Sequence, residues 1–296
     1  MEADILAGKV KAIADSLTLA SVLAKYRDEV CPTKRGGSWE TKRINLYLRE
    51  FDFVGKKIDK VTPEDLKVWR DKRLKVVKTS TVNRDFNLIS AIFHHARSEW
   101  RYCSSSPVTD VRRPDDPPPR VQRITDKMAD LLIEGLGYSR WDVPKLQRHK
   151  VALAFLFAIE TGMRSGEIMN LTADAVHLEQ RFVHIPISKN SDARDVPLST
   201  TAVQILLLLL PSSDEFVFGV SAANRDAIWR KFRDAAGKLH PELASVNFHD
   251  TRHEAISRLA KKLDVLDLAR MIGHRDLNSL MIYYNEHASE MAKRLG

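Results

Sequence analysis

The sequence predicts a mainly helical chain of two domains, the second of which carries a small β-hairpin. Apolar residues recur at helical spacing through most of the 296 residues. Two short runs, 181–187 and 193–198, flank the polar segment KNSD and predict a pair of strands. The segment RRPDDPPPR at 112–120 contains three consecutive prolines, which cannot continue a helix. We therefore expect a helical domain over 1–111, a linker over 112–120 and an α+β domain over 121–296.

Four helices are predicted in the first domain. They begin near Thr18, Trp39, Thr62 and Thr79. Thr18 can cap the first helix with its side-chain oxygen, and Pro63 suits the first turn of the third. The fourth is the longest, because its apolar residues stay on one side as far as Trp100.

Further helices are predicted around the hairpin of the second domain. Gly162 and Gly273 each follow an apolar run, as helix C-terminal stops do. The run ILLLLL at 205–210 is much shorter than the ~20 residues of a membrane span, so we expect a buried helix there. The predicted segments start at Thr125 and span 150–161, 166–171, 200–210, 224–239, 248–263, 265–272 and 277–284, with EHASEMAKRL as a tail helix.

The chain carries a net charge of +8, most of it in the first domain and linker. Residues 1–120 hold 24 Lys and Arg against 17 Asp and Glu, a net of +7. Such a basic half favours an anionic partner, although solubility alone would also explain it. Two cysteines give no disulfide framework, and the N-terminus has no signal-peptide pattern. We therefore expect a cytoplasmic protein with no membrane contact.

Chemically active side chains are concentrated near the C-terminal end. His249 and Arg252 are three residues apart in a predicted helix and therefore share a face. His274 follows Gly273, the predicted end of the next helix, so its ring is free to point into a cleft. Tyr283 lies nine residues further on, where the helical pattern restarts.

These residues, with Arg164 in TGMRSGE and Lys189 in ISKNSDARD, suit reaction at a phosphodiester. Attack by a phenol on phosphorus builds negative charge on two nonbridging oxygens, which guanidinium groups stabilise. The leaving alkoxide needs a proton, which a lysine can give, and histidines can move the phenolic proton or hydrogen-bond the phosphate. An attacking tyrosine becomes covalently bound and keeps the bond energy available for religation.

In order and spacing, these motifs resemble the tyrosine recombinases, also called the phage integrase family. The motifs are Arg164 in T-G-M-R-S-G-E, Lys189 in the predicted hairpin, His249-x-x-Arg252, Gly273-His274 and Tyr283. Each motif alone is weak, whereas all of them in the family's order make a specific match over most of the chain. The segment HDTRHEAISRL also resembles shufflon-type invertases within this family.

The resemblance implies which side chains hold the scissile phosphate. Arg164 and Arg252 would clamp it, and His274 would bind it. Glu167, three residues after Arg164, resembles the family's acid that orients the pocket. No metal or other cofactor is implied, and the sequence has no GxxxxGK[ST] loop for a nucleotide.

The resemblance also implies that a tyrosine forms the covalent bond. Tyr283 would be the nucleophile, His249 would handle its proton, and Lys189 would be the general acid to the 5′ oxygen. Tyr284 is a departure, because it places a second phenol beside the first. The spacing from His274 favours Tyr283.

Three alternatives stay open at this point. His249 and His253 have the spacing of a helical zinc pair, although Arg252 would project beside the metal. His253 by itself is more typical of a packed residue that supports the site. The same residues would serve a type IB-like topoisomerase, and a non-catalytic DNA-binding regulator would share the fold.

The partners that the resemblance implies are duplex DNA and further copies of the chain. A homotetramer on two recombination sites would exchange strands through 3′-phosphotyrosine bonds and a Holliday junction, giving integration, excision or inversion. Accessory DNA-bending proteins and a nucleoid location belong to the same expectation. The first domain resembles the family's helical, SAM-like core-binding domain. The basic residues expected to contact DNA are Lys42, Arg43, Arg84, Arg225, Arg230 and Arg233.

Overall fold

The computed structural model describes residues 17–117, 122–187, 192–210, 214–274 and 276–284. The chain divides into two compact units, of which the first ends at Pro119 and the second begins at Arg120. Each unit has its own hydrophobic core. The predicted tail helix EHASEMAKRL lies outside the described residues.

Four α-helices form the described part of the first unit. They are α1 (Leu19–Lys25), α2 (Gly37–Glu50), α3 (Pro63–Leu74) and α4 (Thr79–Ser98), with a π-helical turn at Tyr26–Val30 after α1. Thr18 caps α1, its Oγ1 accepting from the Ser21 backbone N–H at 3.2 Å. Thr62 and Asp65 form a reciprocal capping box at the start of α3. These caps explain why the predicted starts of both helices agree closely with the structure.

The core of the first unit is aromatic and encloses the carboxylate of Asp85, which forms ion pairs with Arg43 and Arg73. The Tyr47 ring stacks on Phe51 with centroids 5.0 Å apart, and Trp69 meets both rings edge-on. Asp85 is fully buried, and it accepts from Arg43 Nε at 2.8 Å and from the Tyr47 hydroxyl at 3.0 Å. Because a buried carboxylate needs partners, the ion pair with Arg43 ties α2 to α4.

The second unit is built around a central helix. Its described elements are α5 (Asp126–Gly135), α6 (Gln147–Thr161), α7 (Ser165–Met169), β1 (Val176–His177), β2 (Phe182–Ile185), β3 (Arg194–Pro197), α8 (Thr200–Leu209), α9 (Ala222–Leu239), α10 (Asp250–Leu259), α11 (Val265–Ile272) and α12 (Asn278–Met281). All residues from 151 to 159 in α6 are buried, which is the pattern of a helix enclosed on every side. Gly162 ends α6 in the left-handed conformation, with φ of 64°.

The three strands form an antiparallel sheet in the order β1-β2-β3. Val183 lies opposite Val196, and both side chains are buried. His184 lies opposite Asp195 on the exposed face, where its Nδ1 is 2.8 Å from Asp195 Oδ1. This register follows the period-2 alternation of buried and exposed residues. The sequence predicted β2 and β3 but missed β1, because two residues cannot show an alternating pattern.

Two helix boundaries near the C-terminal end differ from the prediction. α10 begins at Asp250, so His249 is the N-cap residue and does not lie within the helix. α12 ends at Met281, so Tyr283 follows the helix and does not lie on it. Apolar spacing cannot separate a capping turn from a first helical turn, because both present the same residue to the core.

The predicted fold class is confirmed, since helices dominate and a three-stranded antiparallel sheet lies in the second unit. α8 contains most of the run ILLLLL and buries Ile205, Leu206 and Leu209, while Leu207 is exposed. Across the described ranges, no helix is both long and apolar enough to cross a bilayer.

Candidate active site

Three arginines converge on the carboxyl end of α11. Arg194, Arg252 and Arg164 donate to the successive backbone carbonyls of residues 271–273, at 2.9, 2.7 and 3.2 Å. The last carbonyls of a helix have no partner within the helix and carry the negative end of its dipole, so they attract cations. Gly273 closes the helix with φ of 66°, and a Cβ there would lie 3.1 Å from Arg194 Nε. Glycine therefore permits the close approach of that guanidinium.

Arg252 joins the ends of two helices from the interior of the unit. The residue is only 6% exposed, and its Nη1 donates to the Gly162 carbonyl at the end of α6. Burial, and then the positive charge of Arg164, lower the pKa of Arg252 to about 10. A depressed arginine pKa indicates that the surroundings disfavour its charge. A bound anion would supply the negative charge that the surroundings of Arg252 lack.

Glu167 is the carboxylate that fixes two of these arginines. Its Oε2 accepts from Arg194 Nη2 at 2.7 Å and from the Arg164 backbone N–H at 2.9 Å, and its Oε1 accepts from Arg164 Nη1 at 3.1 Å. Burial alone would raise the pKa of Glu167, but these hydrogen bonds, foremost that of Arg194, hold it below its usual range. The ionised Glu167 therefore holds Arg164 and Arg194 in place, while three guanidinium groups leave the cluster cationic.

Arg194 is a site residue that the sequence analysis missed. It begins β3, and its side chain is 7% exposed. Its guanidinium reaches both Glu167 and the Met271 carbonyl because β3 packs beside α11. The sequence offers no periodic signal that separates Arg194 from other arginines, since its role depends on that packing.

Two predicted histidines lie within electrostatic range of the arginines. His274 follows the Gly273 cap of α11, whereas His249 is exposed at the start of α10. Partial desolvation, and then the charge of Arg252, lower the pKa of each ring below its ordinary value. Both rings are therefore neutral at pH 7 and suited to hydrogen bonding with a phosphate.

The two adjacent tyrosines contact different partners. The Tyr283 hydroxyl oxygen lies 2.9 Å from Nδ1 and 3.0 Å from Nε2 of His253. The Tyr284 hydroxyl donates to the Leu263 carbonyl at 3.0 Å, beyond the end of α10. Burial raises the pKa of Tyr283, and the charge of Arg252 opposes that rise. Of the two phenols, Tyr283 is therefore the one on which the charge of Arg252 acts.

His253, and not His249, contacts the Tyr283 hydroxyl. The sequence analysis gave the tyrosine proton to His249 and treated His253 as a packed residue. Arg252 and His253 are consecutive residues and so point about 100° apart around α10. Arg252 consequently faces the end of α11 while His253 faces the chain after α12. The motif HDTRH by itself does not show which histidine meets the phenol.

Lys189 falls in the connection between β2 and β3, outside the described residues. Its role as general acid therefore stays a prediction from the sequence.

The arrangement of His249 and His253 gives no support to the zinc alternative. His249 precedes α10 as its cap, and His253 lies against a phenol. Within the part of the chain that the structure describes, no three His, Cys, Asp or Glu side chains are grouped as a metal site would require.

Glu254 anchors the start of the second unit to α10. Its side chain is 4% exposed and accepts from the Ile124 backbone N–H at 3.0 Å, from Arg123 Nε at 2.7 Å and from Arg258 Nε at 2.8 Å. Burial alone would raise the pKa of Glu254, but these donors lower it to about 2. The segment that enters α5 is therefore fixed to the helix that carries Arg252.

Glu254→Gln is expected to destabilise the second unit by about 2 kcal/mol at neutral pH, because hydrogen bonds to a charged group contribute ~1.5–3 kcal/mol each. The folded-state pKa of Glu254 lies below the unfolded value, so this stability is present above pH ~4.3 and is lost as pH falls toward 2. The variant should therefore lose less stability than the wild type on acidification over that window. Denaturant unfolding followed by circular dichroism at several pH values measures both effects.

The matched control is Glu242→Gln, which removes an exposed carboxylate from the same unit. Its stability should follow the wild type at every pH. Equal acid sensitivity of Glu254→Gln and the wild type would contradict the anchoring role.

The six basic residues expected to contact DNA divide into two groups. The exposed group is Lys42, Arg84 and Arg230. The guanidinium groups of the other three form ion pairs within their own unit, and a DNA contact by them stays a prediction; they are Arg43, Arg225 and Arg233. Arg43 binds the buried Asp85, and Arg225 lies 4.7 Å over the ring of Phe248. Helical periodicity assigned their helices correctly but could not show which arginines face inward.

Replacing both Lys42 and Arg84 by alanine is expected to weaken DNA binding and to make the affinity less dependent on salt concentration. Each neutralised phosphate contributes ~0.9 to the slope of log affinity against log salt, so the slope should fall by up to ~1.8. Fluorescence anisotropy titrations at several salt concentrations measure this slope. An unchanged slope would remove both residues from the interface.

Arg43→Ala is the comparison variant for that experiment. It leaves the buried Asp85 without its main partner, so it should destabilise the first unit by about 3 kcal/mol. Its salt slope should stay that of the wild type.

Comparison with known proteins places this arrangement in a family context. The phage integrase family model matches residues 127–290. A provisionally named integrase/recombinase of Haemophilus influenzae is 35% identical over 279 residues, covering 93% of this chain and 89% of the relative. The shufflon-specific DNA recombinase of Escherichia coli is 32% identical over 289 residues, covering 94% of this chain and 72% of the relative.

Solved structures with the same fold include two DNA-bound integrases. The Tn1549 transposon integrase in complex with a circular intermediate DNA matches with a TM-score of 0.78 at 18% identity, covering 95% of this chain and all of the other. A lambda integrase tetramer bound to a Holliday junction matches with a TM-score of 0.67 at 15% identity, covering 88% of this chain and 78% of the other. At these identities the similarity establishes the fold.

Proposed function

Because the chain belongs to the phage integrase family of tyrosine recombinases, we propose that Tyr283 is the nucleophile with which it cuts and rejoins duplex DNA. The chain is a site-specific DNA recombinase, and hence a DNA strand transferase. The observation that carries the assignment to Tyr283 is the contact of its hydroxyl with His253, one residue beyond Arg252, whereas the Tyr284 hydroxyl donates to the Leu263 carbonyl.

Arg164 and Arg252 hold the scissile phosphate in this proposal. Both guanidinium groups are oriented by backbone carbonyls, and each has five N–H donors, more than those contacts use. Their charge stabilises the negative charge that develops on the nonbridging oxygens during attack. His249 and His274, with neutral rings, donate further hydrogen bonds to the same group. Glu167 fixes the position of Arg164 before DNA arrives.

Tyr283 forms the covalent bond. Its oxygen attacks phosphorus, the bond to the 5′ oxygen breaks, and a 3′-phosphotyrosine and a 5′-hydroxyl result. Lys189 supplies the proton that the leaving 5′ oxygen requires, as the family resemblance implies. Religation reverses these steps with a 5′-hydroxyl from a second duplex, so no nucleotide or metal is consumed.

The assembled enzyme is, in this proposal, a homotetramer on two recombination sites. A lambda integrase with the same fold has been solved as a tetramer bound to a Holliday junction. The first unit acts as the core-binding domain and the second as the catalytic domain. Accessory DNA-bending proteins and a cytoplasmic, nucleoid-associated location remain expectations of the same proposal.

Strand exchange between two duplexes tests the proposal. The substrates carry the DNA repeats that flank the coding region, one of them labelled, with a strong chelator present throughout. Recombinant product and a covalent adduct are expected. Relaxation of supercoiled DNA without exchange would point to a topoisomerase, and binding without an adduct would point to a regulator.

A further inference from the structure

The Tyr283 hydroxyl is in direct contact with the imidazole of His253. The phenolic oxygen lies 2.9 Å from Nδ1 and 3.0 Å from Nε2, and the two ring centroids are 5.1 Å apart with planes tilted by 54°. Both distances are within the hydrogen-bonding range, so either ring nitrogen can serve as the partner after a small rotation. A titratable group therefore touches the oxygen proposed to attack DNA.

The surroundings of both rings favour a protonated phenol and a neutral imidazole, which is the starting state that a general base requires. Desolvation lowers the pKa of His253, and burial raises the pKa of Tyr283. At neutral pH the phenol therefore carries its proton, while the neutral imidazole offers one acceptor nitrogen.

The charged groups that face His253 lie on α10 and on the segment that enters α5, and their effects on its pKa partly cancel. Asp250 and Glu254 lie on the same helix and raise the pKa of the ring, whereas Arg123, from the segment that enters α5, lowers it. His249, at the cap of α10, interacts with His253 electrostatically. Glu254 accepts two hydrogen bonds from Arg123. The negative charge of this carboxylate is therefore paired and does little to stabilise a protonated His253.

We propose that His253 is the catalytic base that takes the phenolic proton as Tyr283 attacks the phosphodiester. This inference rests on the function proposed above. The O–H bond of Tyr283 breaks, its proton moves to a ring nitrogen of His253, and the freed electron pair forms the bond to phosphorus. The bond between phosphorus and the 5′ oxygen then breaks, and that oxygen takes its proton from Lys189. During religation, His253 returns the proton to the tyrosine oxygen.

The assignment separates two histidines that the motif HDTRH places four residues apart. His249 is exposed at the cap of α10 and interacts with Arg252 and Arg164, which hold the phosphate. His253 faces the nucleophile. One histidine thus acts on the phosphate and the other on the tyrosine.

Single-turnover cleavage of a nicked suicide substrate across a range of pH tests this division. The wild-type rate should fall at acidic pH, as His253 becomes protonated and can no longer accept. His253→Ala should be slower by roughly a hundredfold or more, the usual contribution of general base catalysis, and should lose that acidic limb. Added imidazole should restore part of its rate in proportion to the neutral form. His249→Ala is the matched variant, which should be slower but keep the acidic limb and gain nothing from imidazole.

His253→Gln separates proton transfer from simple positioning. The amide can still hydrogen-bond the phenol but cannot take its proton. It should be as slow as His253→Ala while binding DNA like the wild type. Wild-type rates in His253→Gln would overturn the proposal. So would loss of the acidic limb and rescue by imidazole in His249→Ala instead of in His253→Ala. If the wild-type adduct itself does not depend on Tyr283, the proposed function fails instead, and the same gel shows which of the two has failed.

Discussion

Tyr283→Phe is expected to abolish the covalent protein–DNA adduct while DNA binding survives. The change removes one hydroxyl and keeps the ring, which packs against the core of the second unit. Without that oxygen no phosphotyrosine bond can form, so the loss should be complete and not partial. A suicide substrate nicked beside the cleavage point traps the adduct, which a denaturing gel resolves.

Tyr284→Phe is the matched control, because it removes the neighbouring hydroxyl. That group donates to the Leu263 carbonyl, so its loss should cost only about 1 kcal/mol of stability and leave the adduct in place. An adduct that persists in Tyr283→Phe and disappears in Tyr284→Phe would reverse the assignment of the nucleophile.

Lys189→Ala is expected to slow cleavage by roughly 10²–10⁴-fold, the range typical of general acid catalysis. The reason is the leaving 5′ oxygen, which departs poorly as an unprotonated alkoxide. A 5′-bridging phosphorothiolate departs as a thiolate and needs no such proton. Lys189→Ala should therefore cleave that substrate at a rate close to that of the wild type. Single-turnover cleavage of both substrates measures the rescue.

Arg164→Ala is the control for this rescue. Arg164 acts on the nonbridging oxygens, which the sulfur substitution leaves unchanged, so its defect should be the same on both substrates. Equal defects of Lys189→Ala on the two substrates would show that the lysine only binds DNA. The general acid would then have to be sought elsewhere, with His249 the first candidate.

Much of the fold could be predicted because its signals are local. Thr62 and Pro63 marked the start of α3, where the structure has a capping box. Gly162 and Gly273 marked the ends of α6 and α11, and both adopt the left-handed conformation there. Such signals act within a few residues of chain and therefore survive in the sequence pattern.

The elements that were missed or misplaced are those too short to have a pattern. β1 has two residues and α12 has four, about one period each of the alternation or the apolar stripe, and a pattern must repeat to be recognised. The pattern of apolar residues also could not show that Arg43 and Arg225 face inward. Such a pattern counts every arginine as polar, whether it is exposed or buried.

The sequence by itself named most residues of the candidate site, although not Arg194 or the role of His253. The order and spacing of Arg164, Arg252, His274 and Tyr283 identified the family, and with it the chemistry, before any contact was known. A motif can do this because it records residue types, and the types limit which reaction they can support.

Only the tertiary structure decided which side chain meets which. Arg164 contacts the Gly273 carbonyl 109 residues away, and Tyr283 contacts His253 30 residues away. Local patterns fix the face of a helix on which a residue lies, but not the element that this face meets. Packing of α6, α10 and α11 brings the arginines to one helix end and turns His253, one residue beyond Arg252, toward the nucleophile.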